Sequence, residues 1–311
     1  MGYGEAPWDF RGRALYQLSL VRVEEARKYV PAELPLVNFF GWTLGGFYLA
    51  RYDDSPVGAF DECVALAGLA WNFPSSCAWA ARVYVNNREA RDHGISSVGL
   101  PSRLATFRAL PLPELAEQAG QALQAGRLRG GGGGGGSGSS GSVAAGTSWW
   151  DLAHPRAARG GGGRGATARS AGSATAAVEL SNAEPARARR AGQAARGLAA
   201  PVCRLEMPRL KPSWAPKIQM FLPSFSGATP DHPALLKYSL KLTAHIRPLP
   251  PARVTFPADR TEEERRGGEV LDAVLGGRPL VCLAFDNMHM EVQPPELWQP
   301  KGAAAARPAA A

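Results

Sequence analysis

Two apolar stretches decide the fold: FFGWTLGGFYLAR (Phe39–Arg51) and FDECVALAGLAW (Phe60–Trp71). The first is apolar on both faces, and its glycines suit a strongly bent strand. The second is typical of a strand with small internal residues. Between them lies Asp53-Asp54-Ser55-Pro56, whose residue types favour a turn. This part of the chain therefore predicts two successive buried strands.

The same pattern continues in both directions along the chain. Further strands are predicted at Arg13–Val23, Cys77–Val85, Val202–Pro208, Lys217–Leu222, Leu236–Arg247, Leu280–Phe285 and His289–Val292. Helices are few: Glu24–Tyr29, Arg88–His93 closed by Gly94, and Glu269–Leu275, while Pro223–Gly227 is predicted as a loop. Strands every twelve to twenty residues with so few helices predict a mainly β protein, an antiparallel sheet or barrel.

The composition indicates a single domain that is interrupted by an insert. Residues 118–199 contain the runs Gly130–Gly136 and Gly160–Gly163, with little apolar sequence, so we expect a disordered insert. Residues 1–117 and 200–298 then form the two parts of one barrel, and 299–311 a flexible tail. An apolar island, Trp149-Trp150-Asp151-Leu152, is expected either to pack loosely on the barrel or to serve as a short motif for a partner.

The net charge of +8 is located in that insert. Residues 121–200 hold ten arginines and three acids, a balance of 10 − 3 = +7. No recognition motif accompanies the arginines, so specific nucleic-acid binding is not expected. The four cysteines are far apart, which favours reduced buried thiols, and the five histidines lack ligand spacing. We therefore expect no metal and no cofactor. No apolar run is long enough to span a membrane, and no clear leader is visible.

Three motifs occur in order and together resemble the acetoacetate decarboxylase-like superfamily. They are the Ser-x-x-Gly-x-aromatic-x-Glu element at Ser55–Glu62, the Arg-x-Tyr-Val strand at Arg82–Val85, and the Gly-x-Pro-Lys-Lys-Leu segment, which reads GLPSRL at Gly99–Leu104. Within that superfamily the chain is similar to the plant and algal neoxanthin-deficient proteins, as in Ser76–Val83 and Leu222–Gly227. The resemblance covers about residues 2–110 and 201–292.

The resemblance implies a closed, cone-like antiparallel barrel with an internal pocket. It also implies a role in making neoxanthin, a precursor of abscisic acid, from violaxanthin. The expected partners are a carotenoid ligand or neoxanthin synthase. The oligomeric state stays open. The absence of a clear leader favours the cytoplasm, whereas the implied role favours the chloroplast.

Carried over residue by residue, the family pattern predicts the pocket. Ser102 and Arg103 stand where the family has its two lysines, and serine cannot form an imine. We therefore expect no decarboxylase chemistry, with Lys217 the one substitute amine worth testing. Expected pocket residues are Arg13, Phe47, Glu62, Arg82, Ser102 and Arg103; Phe47 falls where the family has a second glutamate. A hydrolytic Ser102 would need a base such as His93, which is disfavoured.

Three readings stay open from the residues. The first is an accessory protein that binds an apolar ligand or assists the synthase. The second is an enzyme of lyase or isomerase type, with Glu62 as proton carrier and Arg82 or Arg103 as oxyanion partner. The third is a scaffold that recruits partners through the insert. Aromatic residues expected to line core, rim or ligand site are Trp42, Phe47, Tyr48, Trp71, Phe73, Trp79 and Tyr84.

Overall fold

The computed structural model describes residues 2–110, 150, 176–183, 201–207, 214–257 and 272–299. Its elements in chain order are β1 (Trp8–Arg22), α1 (Val23–Arg27), β2 (Trp42–Asp54), β3 (Phe60–Asn72), β4 (Ser75–Val85), α2 (Arg88–Ser96), β5 (Ser102–Leu110), β6 (Ala176–Asn182), β7 (Pro201–Met207), β8 (Lys217–Gly227), β9 (Leu235–Leu249), β10 (Arg253–Thr255), β11 (Arg278–Val292) and β12 (Glu296–Leu297). Residues 272–275 add one helical turn. The mainly β prediction is confirmed.

Seven strands close into a barrel in the order β4-β3-β2-β1-β11-β9-β8. Six of the seven contacts are antiparallel, as the pattern predicted. The ring closes through a short parallel contact between β8 and β4, where Ala78 lies opposite Ser224 and Trp79 opposite Phe225. Closure removes the free edges that an open sheet would expose.

A second sheet grows from the same strand. Beyond its contact with β8, β4 pairs in parallel with β5, so Val83 lies opposite Ser102. Strands β6, β7 and β10 then follow β5 in antiparallel order. The prediction that residues 118–199 form a disordered insert is corrected for Ala176–Asn182, because these residues form β6, an integral strand of this sheet. Its sequence, AAVELSN, is short and is flanked by segments rich in glycine, alanine and arginine, so the strand was not predicted.

Strands β2, β3 and β4 carry apolar side chains on both faces because each face meets a different core. One face, with Phe60 and Leu66, surrounds the barrel interior. The other, with Phe47 and Cys63, packs against side chains of β6 and β7. Trp150 is buried in this second core, so the expectation of loose packing is wrong for that residue. Trp149, Asp151, Leu152, the glycine runs and the tail lie outside the described residues.

Three local predictions are corrected by the backbone. The predicted loop Pro223–Gly227 continues β8, and Pro223 lies just before β8 gains its second neighbour, an edge position that tolerates proline. The two predicted strands Leu280–Phe285 and His289–Val292 are one strand, β11. A register shift between Asp286 and His289, with Asn287 at φ 47°, marks a bulge in it. Gly94 lies inside α2 and does not end it.

Candidate functional site

The barrel interior holds a cavity of about 220 Å³. Most of its wall is apolar, with side chains such as Phe60, Leu66, Val83 and Phe285 from three different strands. Its titratable side chains are one carboxyl, one imidazole and five phenols: Glu62, His93, Tyr3, Tyr16, Tyr48, Tyr52 and Tyr238. The described wall adds three serines (Ser76, Ser102 and Ser224) and no lysine or arginine, so it favours an apolar ligand with few polar groups.

Glu62 is the acid of this cavity. Strand β3 turns alternate side chains inward, which places Phe60, Glu62 and Val64 on the cavity wall and Cys63 on the opposite face. The Tyr52 hydroxyl donates a hydrogen bond of 2.8 Å to Glu62 Oε2. Burial raises the pKa of Glu62 to about 7, although the Tyr52 bond acts in the lowering direction. Near neutral pH the carboxyl therefore exchanges a proton readily.

The tyrosines around Glu62 remain protonated. Burial, followed by the charge of Glu62, raises the pKa of Tyr3 and of Tyr238 well above the ordinary value. Burial is also the main reason that the pKa values of Tyr48 and Tyr52 are raised. Phenols that keep their protons serve as hydrogen-bond donors. Glu62 thus faces a set of donors without a neighbouring cation on the described wall.

His93 reaches the cavity from α2. Its ring stacks on Tyr3 with centroids 3.6 Å apart and meets the edge of Trp8 at 4.3 Å. Burial lowers its pKa to about 4, so the imidazole is neutral at physiological pH. Its Nε2 is buried and has no hydrogen-bond partner among the described residues. A neutral, unsatisfied ring nitrogen beside a cavity can bind a polar group of a ligand.

Ser102 lies at the start of β5 and also lines the cavity. The chain reaches it through Gly99, whose φ of 67° and close approach to Gly227 exclude a side chain. Ser102 is buried, and its Oγ would lie 2.6 Å from a Cβ built on Gly94. The hydroxyl therefore packs against α2. The helix in turn begins at Asn87, whose side chain accepts a hydrogen bond from the Ala90 amide.

The structure separates the predicted site residues into two groups. Glu62 and Ser102 line the cavity. Arg13, Phe47, Arg82 and Arg103 do not belong to its described lining. Arg13 pairs with Asp53 at 3.1 Å, and Phe47 is buried in the second core.

Arg82 and Arg103 lie across the sheet from the cavity. In the ladders Arg82 is opposite Ala65 and Arg103 is opposite Tyr84. Both of those neighbours belong to the second core. Both guanidinium groups act to lower the pKa of Tyr84, against the stronger effect of burial. The expected pairing of Glu62 with either arginine is therefore absent from this part of the structure.

No lysine lines the described cavity wall. Lys217 is exposed at the start of β8, opposite His245. Within the described ranges no three His, Cys, Asp or Glu side chains are grouped as a metal site requires. The described helices include none with the length and apolar content to cross a membrane. Cys63, Cys77, Cys203 and Cys282 are buried free thiols, as the sequence predicted.

Sequence reasoning missed most of the cavity's polar side chains. Of the seven aromatic residues predicted to serve core, rim or ligand site, Tyr48 alone lines the described cavity. Tyr52 is four residues further along the same strand, and this even spacing, which keeps both side chains on one face, was the available signal. His93 was considered only as the base of a disfavoured hydrolytic Ser102, whereas α2 folds back against β5 and brings both side chains to one cavity wall.

Comparison with known proteins gives close relatives over almost the whole chain. It is 39% identical to Protein NEOXANTHIN-DEFICIENT 1 of Oryza sativa subsp. japonica, covering 95% of this chain and 90% of the relative. It is 35% identical to the protein of that name in Arabidopsis thaliana, covering 96% of each, and 33% identical to that of Solanum lycopersicum, covering 95% and 93%. No family model matches the chain.

Among solved structures the chain is similar to an acetoacetate decarboxylase from Legionella pneumophila. The TM-score is 0.53 at 10% identity, with 96% of this chain and 90% of that one covered. A second acetoacetate decarboxylase structure gives a TM-score of 0.50 at 11% identity, covering 95% and 91%. The barrel is thus an acetoacetate decarboxylase-like fold.

Proposed function

The chain belongs to the NEOXANTHIN-DEFICIENT 1 family, and from this membership we infer that it takes part in making neoxanthin. We propose that it is an accessory protein that binds one end of an apolar ligand, a xanthophyll, in the Glu62 cavity without forming a Schiff base. In this role it presents or protects the pigment, or otherwise assists neoxanthin synthase.

One observation carries the proposal: the cavity has an acid and several hydroxyl donors but no amine on its described wall. Schiff-base chemistry needs a neutral lysine amine next to the carbonyl. Ser102 stands at the corresponding position and supplies only a hydroxyl. A carboxyl with a pKa of about 7 and phenols that stay protonated suit the oxygen atoms of a neutral ligand.

The size of the cavity limits what it encloses. Pockets that surround a drug-sized molecule measure roughly 300–1,000 Å³, whereas this cavity has about 220 Å³. A single oxygenated ring of a xanthophyll fits that scale, and the long polyene would lie outside. In this arrangement Glu62, His93 and Ser102 are the groups available to the ring's hydroxyl or epoxide oxygen.

The test is to titrate the purified full-length protein with violaxanthin and to measure both bound pigment and pigment identity. We expect saturable binding at one site, weaker binding by Glu62→Gln, and recovery of unchanged violaxanthin. Arg13→Gln is the matched control, since Arg13 pairs with Asp53 outside the cavity lining. Absence of saturable binding, or equal binding by Glu62→Gln, would contradict the proposal.

A second candidate function is favoured by the Glu62 pKa alone. A carboxyl that titrates near neutral pH suits general acid–base catalysis, so Glu62 would pass a proton to or from a bound ligand. Arg82 and Arg103 have no part in this version because they face the second core. The same incubation separates the two functions: conversion of violaxanthin that is lost in Glu62→Gln supports the enzyme.

A further inference from the structure

Exposed apolar side chains are concentrated at one end of the barrel. Strands β1 and β3 end there and β2, β4, β8 and β11 begin there; we call it the lower end. Of the nine large apolar side chains that are exposed in the described ranges, Phe39, Phe40, Trp71, Phe73 and Leu280 lie at the lower end, and Trp214, Ile218 and Phe221 lie just before β8 or in its first half. The ninth, Leu297, lies at the opposite end, next to the start of β9.

The most exposed of them, Phe40, stands with Phe39 on a tight turn before β2. Phe39 and Trp42 bond to each other through their backbones, which leaves Phe40 and Gly41 at the tip. Phe40 is 88% exposed and Phe39 72%, and their rings meet edge to face at 4.7 Å. Phe40 has a φ of 50°, a conformation that side chains rarely adopt. The turn thus holds a phenylalanine outward at a local conformational cost.

A second turn lies beside the first. Phe73, 74% exposed, is in the hairpin between β3 and β4, and Trp71 precedes it. Leu36 pairs with Ala70, so the segment leading to Phe39 runs along the end of β3. The two turns therefore project from the same end of the barrel.

Two exposed basic side chains lie at the same end. Arg22 ends β1 and Arg278 begins β11, and the Arg22 guanidinium lies 4.2 Å from the centre of the Trp42 ring. The exposed acids of residues 23–41 are Glu24 and Glu33. Protruding aromatic rings beside long cationic side chains are typical of a protein surface that enters the headgroup region of a bilayer.

We propose that the lower end docks on a membrane surface, with the rings of Phe39, Phe40 and Phe73 inserted among the lipids. Trp71 connects this surface with the cavity: it pairs with Ser76 and shares a face with Leu69, and both of these line the cavity. A xanthophyll dissolved in the bilayer would thereby enter the cavity end first. That last step rests on the proposed function, whereas the docking itself does not.

The test is co-sedimentation of the full-length protein with phosphatidylcholine vesicles, with and without phosphatidylglycerol. It is run at low salt and in 0.5 M NaCl, because salt screens contacts made only by charges, including those of the arginine-rich segment. The variant is F39S/F40S, and the control is L297S at the opposite end. We expect F39S/F40S to lower the partition coefficient at least about tenfold at both salt concentrations, and L297S to leave it unchanged.

Retention of vesicle binding by F39S/F40S would overturn the proposal, as would a complete lack of binding by the unmodified protein. Light scattering without lipid tests the other occupant of an apolar surface: self-association that F39S/F40S abolishes would assign the lower end to a second copy of the chain. Loss of vesicle binding with intact violaxanthin binding in detergent supports docking, so the two proposals fail separately.

Discussion

Glu62 sets the electrostatics of the cavity at the scale of single residues. Its carboxyl is stabilised by one phenol and has no cation beside it on the described wall, so burial dominates and its protonated form is favoured. His93 responds to the same burial in the opposite way and loses its proton. His93 is therefore neutral above about pH 4 and Glu62 is uncharged below about pH 7, and between these values an apolar ring fills the cavity at lower cost.

The first prediction concerns the pH dependence of stability. Because the pKa of Glu62 is about 7 in the folded protein and 4.5 as its ordinary value, the folded state holds the proton more tightly. The stability contributed by Glu62 is therefore fully present below pH 4.5 and lost as pH rises through about 7. We expect the unmodified protein to lose about 3 kcal/mol relative to Glu62→Gln between pH 4.5 and 8.

Urea unfolding of both proteins at several pH values measures this difference. His93 contributes in the opposite direction, since its lowered pKa makes stability rise with pH between about 4 and 6.5. Its contribution is common to both proteins and cancels in the difference. A difference between them that does not change with pH would show that Glu62 is solvated in the folded state.

The residue-level site was predictable only where a motif fixed both identity and face. Glu62 and Ser102 came from motifs within strands whose inward face the structure confirms. Arg82 and Arg103 came from the same motifs but point across the sheet. Successive residues of a strand face opposite sides, so Arg82 next to Val83 and Arg103 next to Ser102 face away from the cavity.

At the scale of elements, helix α2 is the part that completes the cavity. The helix follows β4 and is capped by Asn87. Gly94 packs closely against Ser102, and this contact places His93 on the cavity wall. The sequence predicted the helix but made Gly94 its end. The glycine is required by a close approach between elements, which is a tertiary constraint invisible to local propensity.

The second prediction uses this contact. Alanine inside a helix is ordinarily more stable than glycine by about 1 kcal/mol. At position 94 the added Cβ would meet Ser102 Oγ at 2.6 Å, so we expect Gly94→Ala to give no stabilisation or a loss of about 1 kcal/mol. In a Ser102→Ala background the same change is expected to stabilise by about 0.5–1 kcal/mol. Thermal unfolding of the four proteins completes the cycle, and equal effects of Gly94→Ala in the two backgrounds would contradict the contact.

Strand β6 is the element that the sequence could least reveal. Seven residues with two apolar side chains facing one core carry a weak signal, and the flanking glycine and arginine runs outweighed it. Its partners β5 and β7 are distant in the chain, so the pairing is a property of the folded sheet.

The third prediction tests whether β6 is structural. Leu180 is fully buried in the second core, so Leu180→Ala is expected to lower the free energy of unfolding by about 2–5 kcal/mol. Leu297→Ala, at a largely exposed leucine, is the control and should change it by less than about 0.5 kcal/mol. Chemical denaturation gives both values. A negligible effect of Leu180→Ala would show that residues 176–182 belong to the insert and are not a structural strand.

At the scale of the whole molecule, an acetoacetate decarboxylase-like barrel surrounds a cavity whose described wall has one acid and several phenols but no amine. The class of fold was predictable because strand spacing and three ordered motifs agree with one architecture. The second sheet and the exposed aromatic end were not, because they depend on long-range pairing and on where strands end. The hydrophobic periodicity of a sequence predicts strands, but it does not predict how distant strands pair or which side chains remain exposed.

The most direct test of the central claim is borohydride trapping with acetoacetate, followed by intact-mass measurement and peptide mapping. The chain has six lysines, and none of the described ones lines the cavity. We expect the native protein to acquire no stoichiometric adduct, and Ser102→Lys to serve as a comparison with an amine placed in the cavity. A stoichiometric, site-specific adduct on a native lysine, such as Lys217, would contradict the account and restore Schiff-base chemistry.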